Sequence, residues 1–355
     1  MYDTANVLNA REKAGTKIVA NSSRPLAREH QGKLQIRVNA EGFPFITNAR
    51  GITVNSMLRK DEWEELDRIV IRAAQPRLRA VEDLRARGLT KRIRSFGTLV
   101  SQYNVVGEMT GPNVSMTGQS TGGRDRLDHD LAGVPIPVIW KEFQIGAREL
   151  AAARDNGETL DLDHVVAATR VVAEKMEDMV YFGDSTVVHG GATIYGYTTQ
   201  PSRNTDTATN YNDSGTWSAS INNIVPTIKG MINAANNTEY KYGPFMLYLA
   251  TDAYNEASLQ YYTDGSGQTP LQRILQIPQI AAVLPADRLT AKTGVMAQME
   301  SDTIDWAEHL GIQVRETVSD TGMSTSFRVM AVAAPRAKAD YNGRCGIVHV
   351  TGLLA

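Results

Sequence analysis

The sequence predicts an α+β protein whose folded body follows a long polar arm and an extended glycine-rich loop. Three observations predict it. Helical stripes and short apolar runs alternate from about residue 134 to residue 350. Residues 1–58 carry no lasting helical stripe, and Pro25 and Pro44 interrupt anything longer. Residues 89–127 hold Gly97, Gly107, Gly111, Gly118, Gly122 and Gly123 and lack helical periodicity.

Along the arm, Leu34–Val38 alternates like a strand. An arm of this kind gains little by packing on itself. Ordering it costs roughly 1–2 kcal/mol per residue of backbone, a cost best offset by contacts on other subunits; a disordered tail is the alternative. Residues 60–86 read as a helix through Trp63, Leu66, Val70, Ala73, Val81 and Leu84, with Asp61 and Glu62 at the positive end of its dipole. Pro76 kinks it or divides it in two, and Gly88 stops it. In the glycine-rich stretch, Thr98–Val106 and Asn113–Thr117 are candidate arms of a hairpin. With about 15 residues per arm it would reach roughly 50 Å. A lone two-stranded ribbon is marginal in water, so it should lie along a neighbour.

Val134–Ile145 reads as a strand, and Pro135 and Pro137 suit an edge or an entry. Arg148–Arg154 reads as a short helix. Asp161–Phe182 is the clearest helix, with a stripe of Val165, Thr169, Val172, Met176 and Met179, Asp161 as N-cap and Gly183 as stop. It would run about 33 Å. Residues 184–219 read as loop. Ile221–Ala235 is amphipathic; Phe245–Ala250 is an apolar strand; helices follow up to Leu259 and at Leu271–Leu275. Ile280–Leu284, Gly294–Gln298, Thr303–Trp306, Gln313–Thr317, Ser326–Ala334 and Ile347–Val350 complete the strands, with a turn at Ser319–Met323.

The formal net charge is only −2, so the whole protein is no magnet for nucleic acid. The charge is unevenly placed. Residues 1–60 hold ten Lys/Arg against four acids, which makes this part +6 and the remainder −8. A subunit so built can bind its own kind, basic arm to acidic body, or face a polyanion. Cys345 is the only cysteine, which excludes an intrachain disulfide and a cysteine zinc site. No signal-like apolar run and no 18-residue apolar stretch occurs, so synthesis in a soluble cellular compartment and no membrane partner are expected.

No residue constellation points to catalysis, and no cofactor or metal is expected. The six histidines form no His-Glu-x-x-His pattern. Asp128-His129-Asp130 reads as a solvated loop, and Asp161-x-Asp163-His164 as first-turn acids of a helix. There is no Walker spacing and no Gly-x-Ser-x-Gly. Glu142 and Glu149 read as partners in structural ion pairs. Lys141, Arg148 and Glu149 are candidates for ion pairs between subunits. Trp63 and Trp140 are candidate core residues or interface anchors. Arg94 and Tyr103, in the extended loop, complete the intersubunit candidates. Arg11, Lys13, Lys17, Arg24 and Arg28 are candidates for contact with DNA phosphates or with a neighbouring subunit.

Several runs, in order and spacing, resemble one family. They are Arg59–Asp67, Val81–Leu89, Ile136–Leu150, Glu177–Asp184, Ile194–Tyr197 and Tyr248–Tyr254. Together they resemble phage-type major capsid proteins and the related encapsulins. The resemblance covers about residues 59–350 and implies the HK97-type capsid fold. On that basis 1–58 is the N-terminal arm, 59–87 a helix leading into the extended loop, and 88–130 the loop that lies over the adjacent subunit. Residues 131–219 form the peripheral domain with spine helix 161–182, 220–330 form the axial domain, and 331–355 return to the peripheral domain. One departure matters. Some relatives crosslink neighbours through a lysine in the extended loop; here Lys91 stands near its base, and there is none from Ser95 to Arg126.

The expected function is therefore that of a major capsid protein, made in the host cytoplasm and self-assembling through pentamers and hexamers into an icosahedral shell around phage double-stranded DNA. Portal, scaffold and cement proteins are the further expected partners. The alternatives are an encapsulin shell and, in another class, a soluble enzyme of unknown chemistry. That the chain starts at Met1 argues mildly against a cleaved upstream scaffold segment.

Overall fold

The computed structural model describes residues 34–38, 44–48, 53–54, 60–74, 78–117, 126–146, 148, 163–262, 267–318 and 324–355. The chain forms two compact units. The smaller comprises residues 1–68, 142–164 and 314–328; the larger comprises 69–141, 165–313 and 329–355.

In the smaller unit, β1 (Leu34–Val38), β2 (Pro44–Asn48) and β3 (Thr53–Val54) form an antiparallel three-stranded sheet. The remaining arm residues, Arg11, Lys13, Lys17, Arg24 and Arg28 among them, lie outside the described residues. Also in this unit, Phe143 stacks on Phe327 at 5.3 Å and Arg328 pairs with Glu142.

The expected helix around Pro76 is two: α1 (Lys60–Ala74) and α2 (Arg79–Ala86). α2 stops at Gly88, whose φ of +72° favours glycine; Leu89 N–H then donates to Leu84 O at 2.9 Å. β4 (Thr90–Arg92) follows, then β5 (Val100–Val106). The partner of β5 is β6 (His129–Pro135), from Val100 opposite Pro135 to Val106 opposite His129. This corrects the expected pairing with 113–117, which forms no strand, and places His129 and Asp130 in a strand rather than a loop. Seven residue pairs make a ladder of about 23 Å, shorter than expected. The single strand expected over 134–145 breaks at Ile136-Pro137, and β7 (Val138–Gly146) begins after it. Pro137 supplies no N–H to continue a ladder, and Ile136 N–H instead donates to Leu99 O.

The spine helix α3 is described over Asp163–Phe182; the expected cap Asp161 lies outside the described residues, as does the 149–154 helix. The expected loop 184–219 in fact contains β8 (Asp184–His189), β9 (Ala192–Ile194), β10 (Asn204–Thr207) and the short α4 (Ala208–Asn212). A 3₁₀ turn at Ile221–Asn223 leads into α5 (Ile224–Asn233), which ends in a π turn. Then come β11 (Phe245–Ala250), α6 (Thr251–Leu259), α7 (Pro270–Leu275), β12 (Ile280–Ala286) and β13 (Gly294–Gln298). α7 starts with a capping box in which Thr269 and Gln272 satisfy each other's amides. The two strands expected at 303–306 and 313–317 are one, β14 (Ile304–Val318); β15 (Ser324–Ala337) and β16 (Ile347–Thr351) complete the chain.

Two sheets organise the larger unit. The first runs β10-β16-β13-β11-β12. Every residue of β11 is buried, so this strand is covered on both faces. Phe245, Leu247 and Leu249 join the cluster formed with Ile224, Ile228 and Met231 of α5. Tyr248 points the other way, packing on Tyr181 of α3 and on Tyr197, each at 5.8 Å between ring centres. The second sheet runs β4-β14-β15-β7. Of its strands, residues 138–141, 304–313 and 329–337 belong to the larger unit and the rest of β7, β14 and β15 to the smaller. Ile93, Ile136, Ala307, Met330 and Val332 form its apolar cluster.

Candidate assembly surface

The β5–β6 ribbon is built in two parts of opposite character. Its root is held by the chain's own body. Ser101 is buried and accepts a hydrogen bond from Arg336 Nη1 at 3.1 Å. Arg336 is itself buried and forms a bidentate pair with Asp305, which also binds Lys338 Nζ at 2.7 Å. One carboxylate of β14 thus serves two cations of β15 and its continuation. The Tyr103 ring lies under both cations, 5.6 Å from the Arg336 guanidinium and 5.4 Å from Lys338 Nζ. Burial raises the Tyr103 phenol, so it stays neutral. Further out, Glu108 pairs with Arg344 at 2.7 Å.

Residues 108–117 are all exposed, and Val114 and Met116 are completely so. Met109, Leu131, Leu99 and Phe96 add apolar surface, each more than half exposed. Water solvates apolar side chains left this exposed poorly, and contact with a partner would cover them.

The structure distributes the sequence candidates. Arg94 is exposed just after β4. Tyr103 is half-buried, with its described cations in its own chain. Trp140 and Lys141 are exposed on β7. Trp140 is 52% exposed, which corrects the core reading: it falls between buried Ile139 and half-buried Phe143, on the outward side of the strand alternation. Arg148 is exposed; Glu149 and the side chain of Trp63 lie outside the described residues. Lys91 sits on β4 opposite Ala307; desolvation, with Arg336 and Lys338 nearby, depresses its ammonium.

Sequence reasoning missed two buried charged groups. One is the Arg336–Asp305–Lys338 cluster; the signal was an arginine at the end of the apolar run Val329–Pro335. The other is Glu177, next to Met176 on the buried side of α3. Its signal was a glutamate four residues after Ala173 and four before Tyr181, all three buried. Among the described residues no group of His, Cys, Asp and Glu is placed to hold a metal, and no helix is long and apolar enough to cross a membrane.

Comparison with known proteins follows this architecture. The type 1 encapsulin shell protein EncA of Myxococcus xanthus is 23% identical over 293 residues, 79% of this chain and 90% of that protein. The virus-like particle of Pyrococcus furiosus superposes with a TM-score of 0.56 at 16% identity, covering 81% of this chain and 98% of that one. The capsid of Myoviridae phage XM1 superposes with a TM-score of 0.58 at 16% identity, covering 76% and 91%. Ribbon, spine helix and two sheets therefore make up the HK97-type capsid fold. Residues 51–350 match the model of a family of unknown function, DUF6260, and the chain belongs to that family.

Proposed function

We propose that this chain is the repeating subunit of a closed icosahedral shell, the major capsid protein around a phage's double-stranded DNA. The observation that carries the reading is the ribbon: a root held by buried charges of its own body, and a tip whose exposed Met109, Val114 and Met116 have no cover within residues 108–117. A neighbouring copy supplies that cover, and repetition of one contact around five- and six-fold axes closes the shell. In this reading 1–58 is the arm, 88–130 the loop laid on the next subunit, 131–219 with 331–355 the peripheral domain and 220–330 the axial domain. Trp63, Arg94, Tyr103, Trp140, Lys141, Arg148 and Glu149 contribute contacts between subunits. The work of the protein is geometric rather than catalytic, and with no lysine from 95 to 126 that stretch offers no lysine for a crosslink, which favours noncovalent packing there.

The contents follow from charge. The +6 of residues 1–60 suits contact of Arg11, Lys13, Lys17, Arg24 and Arg28 with phosphates, without reading sequence. Portal and scaffold proteins are the further partners of this reading, and an accessory cement protein would reinforce its noncovalent contacts. A second reading, an encapsulin shell around a cargo protein, is favoured by the likeness to EncA over 90% of that protein.

The assembly test is a double variant, Val114→Asp with Met116→Asp. Two exposed substitutions leave the subunit's own stability within about 0.5 kcal/mol each. Negative-stain microscopy is expected to show shells for the wild type and none for the variant; shells of normal size and yield from the variant would sink the reading. Contents are distinguished on particles from the cells that naturally make them. Nuclease-resistant DNA supports the capsid, and a protein cargo without DNA supports the encapsulin.

A further inference from the structure

Glu177 lies on α3, 2% exposed, yet it accepts two hydrogen bonds from the backbone of a different helix. Ala80 N–H donates to its Oε1 at 2.7 Å and Val81 N–H to its Oε2 at 3.3 Å, across 97 and 96 residues of sequence. These amides belong to the first turn of α2, where a helix has no internal acceptors to offer. Leu78, at the cap position, makes no side-chain cap bond. The carboxyl of another helix therefore takes over the cap.

The charged and titratable groups around it are few. On α2 stand Arg79 and Asp83, the latter accepting a hydrogen bond from Tyr248 of β11 at 3.0 Å. On α3 itself stand Glu174, Asp178 and Tyr181; Tyr197 comes from the segment after β9. Asp287 and Arg288 come from the turn after β12, but Arg288 is held by Asp178 at 2.5 Å and by Glu174 at 3.8 Å. Arg79, Glu174, Glu177, Tyr181, Asp287 and Arg288 line a cavity of about 20 Å³. That is room for one water beside the Glu177 carboxyl.

We propose that Glu177 is a proton-operated latch between α2 and α3: protonated, it stays seated under the first turn of α2; ionised, it favours states in which that turn lifts and water reaches the carboxyl. α2 leads through Gly88 directly into β4 and the ribbon, so the latch stands at the upstream end of the candidate assembly surface. The latch is independent of what a shell encloses.

Burial, helped by the nearby Asp83 charge, raises the Glu177 carboxyl from 4.5 to about 7, against the lowering effect of the two amides and of the Tyr181 hydroxyl. Lifting the turn restores the solvated value. The seated state thus has its full advantage below pH 4.5 and loses it as pH rises through about 7. Asp83, also raised by burial, acts in the same direction; Arg79 and Arg288 oppose it.

The test is amide hydrogen exchange on the purified protein in the form it assembles into, corrected for the intrinsic pH dependence of exchange, for wild type and Glu177→Gln. Between about pH 5 and about pH 8 the opening of residues 80–86 is expected to grow on the order of 50-fold in the wild type, and less than about threefold in the variant. A flat wild-type profile, or the same rise in the variant, overturns the proposal. Should the variant fail to fold, the wild type decides through a second helix. A rise confined to α2 while Ile224–Asn233 stays flat supports the latch; an equal rise in both overturns it.

Discussion

Asp305→Ala is expected to destabilise the protein by about 3–5 kcal/mol, and Arg336→Met by clearly less. The difference follows from how three charges share one site. Asp305 is the single anion between two cations, both mostly withdrawn from water. Removing it strands Arg336, 2% exposed, and leaves Lys338 beside it with like charge. Removing Arg336 leaves Asp305 still neutralised by Lys338 at 2.7 Å, and a methionine fills much of the arginine's volume. Ser101 loses a donor in that variant but retains its place in the ribbon ladder opposite Val134. Urea denaturation followed by fluorescence of buried Trp306, the next residue in β14, reads both losses. An Asp305→Ala loss below about 1 kcal/mol, or the reverse ranking, would show that the root is not held by this cluster.

The second large effect is expected from Gly196→Ala, more than about 3 kcal/mol. α3 ends where the segment after β9 lies across its last turn. Tyr197 N–H donates to Val180 O at 2.9 Å, Thr198 N–H to Tyr181 O at 2.8 Å, and Thr199 Oγ1 to Phe182 O at 2.8 Å. The carbonyls a helix leaves open at its end are closed by this segment. That closeness requires bare backbone on both sides. A Cβ at Gly196 would stand 2.4 Å from Gly183 N and 2.6 Å from Tyr181 C, and one at Gly183 would stand 2.2 Å from Ile194 O. Backbone of a buried helix end cannot move aside as a side chain tip can. Gly190→Ala is the control: its φ is +60°, but no atom lies within 4 Å of the added carbon. Only the conformational penalty remains there, about 1–2 kcal/mol. Thermal unfolding of the two variants separates the effects; equal losses would mean that the crossing at Gly196 opens readily.

Much of the fold was legible because its periodicity is local. The stripe of α3, the apolar run of β11 and the break near Pro76 each lie within a few turns of chain. What escaped depends on distant partners. Asn204–Thr207 is polar and reads as loop, yet it is a strand because Val348–Thr351 runs parallel beside it. The second leg of the ribbon is set by the register of Val100–Val106 against His129–Pro135, which no short window contains. Of the candidate contacts, exposure of Trp140 follows from the alternation of β7, but its distance from the core does not. Glu177, Asp305 and Arg336 look like any surface charges in sequence, because burial of a charge is decided by the partner that neutralises or solvates it.

The order of strands in the first sheet bears on synthesis. Ile347–Thr351 lies between Asn204–Thr207 and Gly294–Gln298, and Leu353 completes the cluster around Trp217. A nascent chain that has not yet released these residues from the ribosome lacks an inner strand, not an edge one. Its larger unit cannot close, and non-local pairing of this kind is late in folding. Prematurely terminated copies would then remain unfolded, with the apolar cluster around Trp217 open to proteolysis.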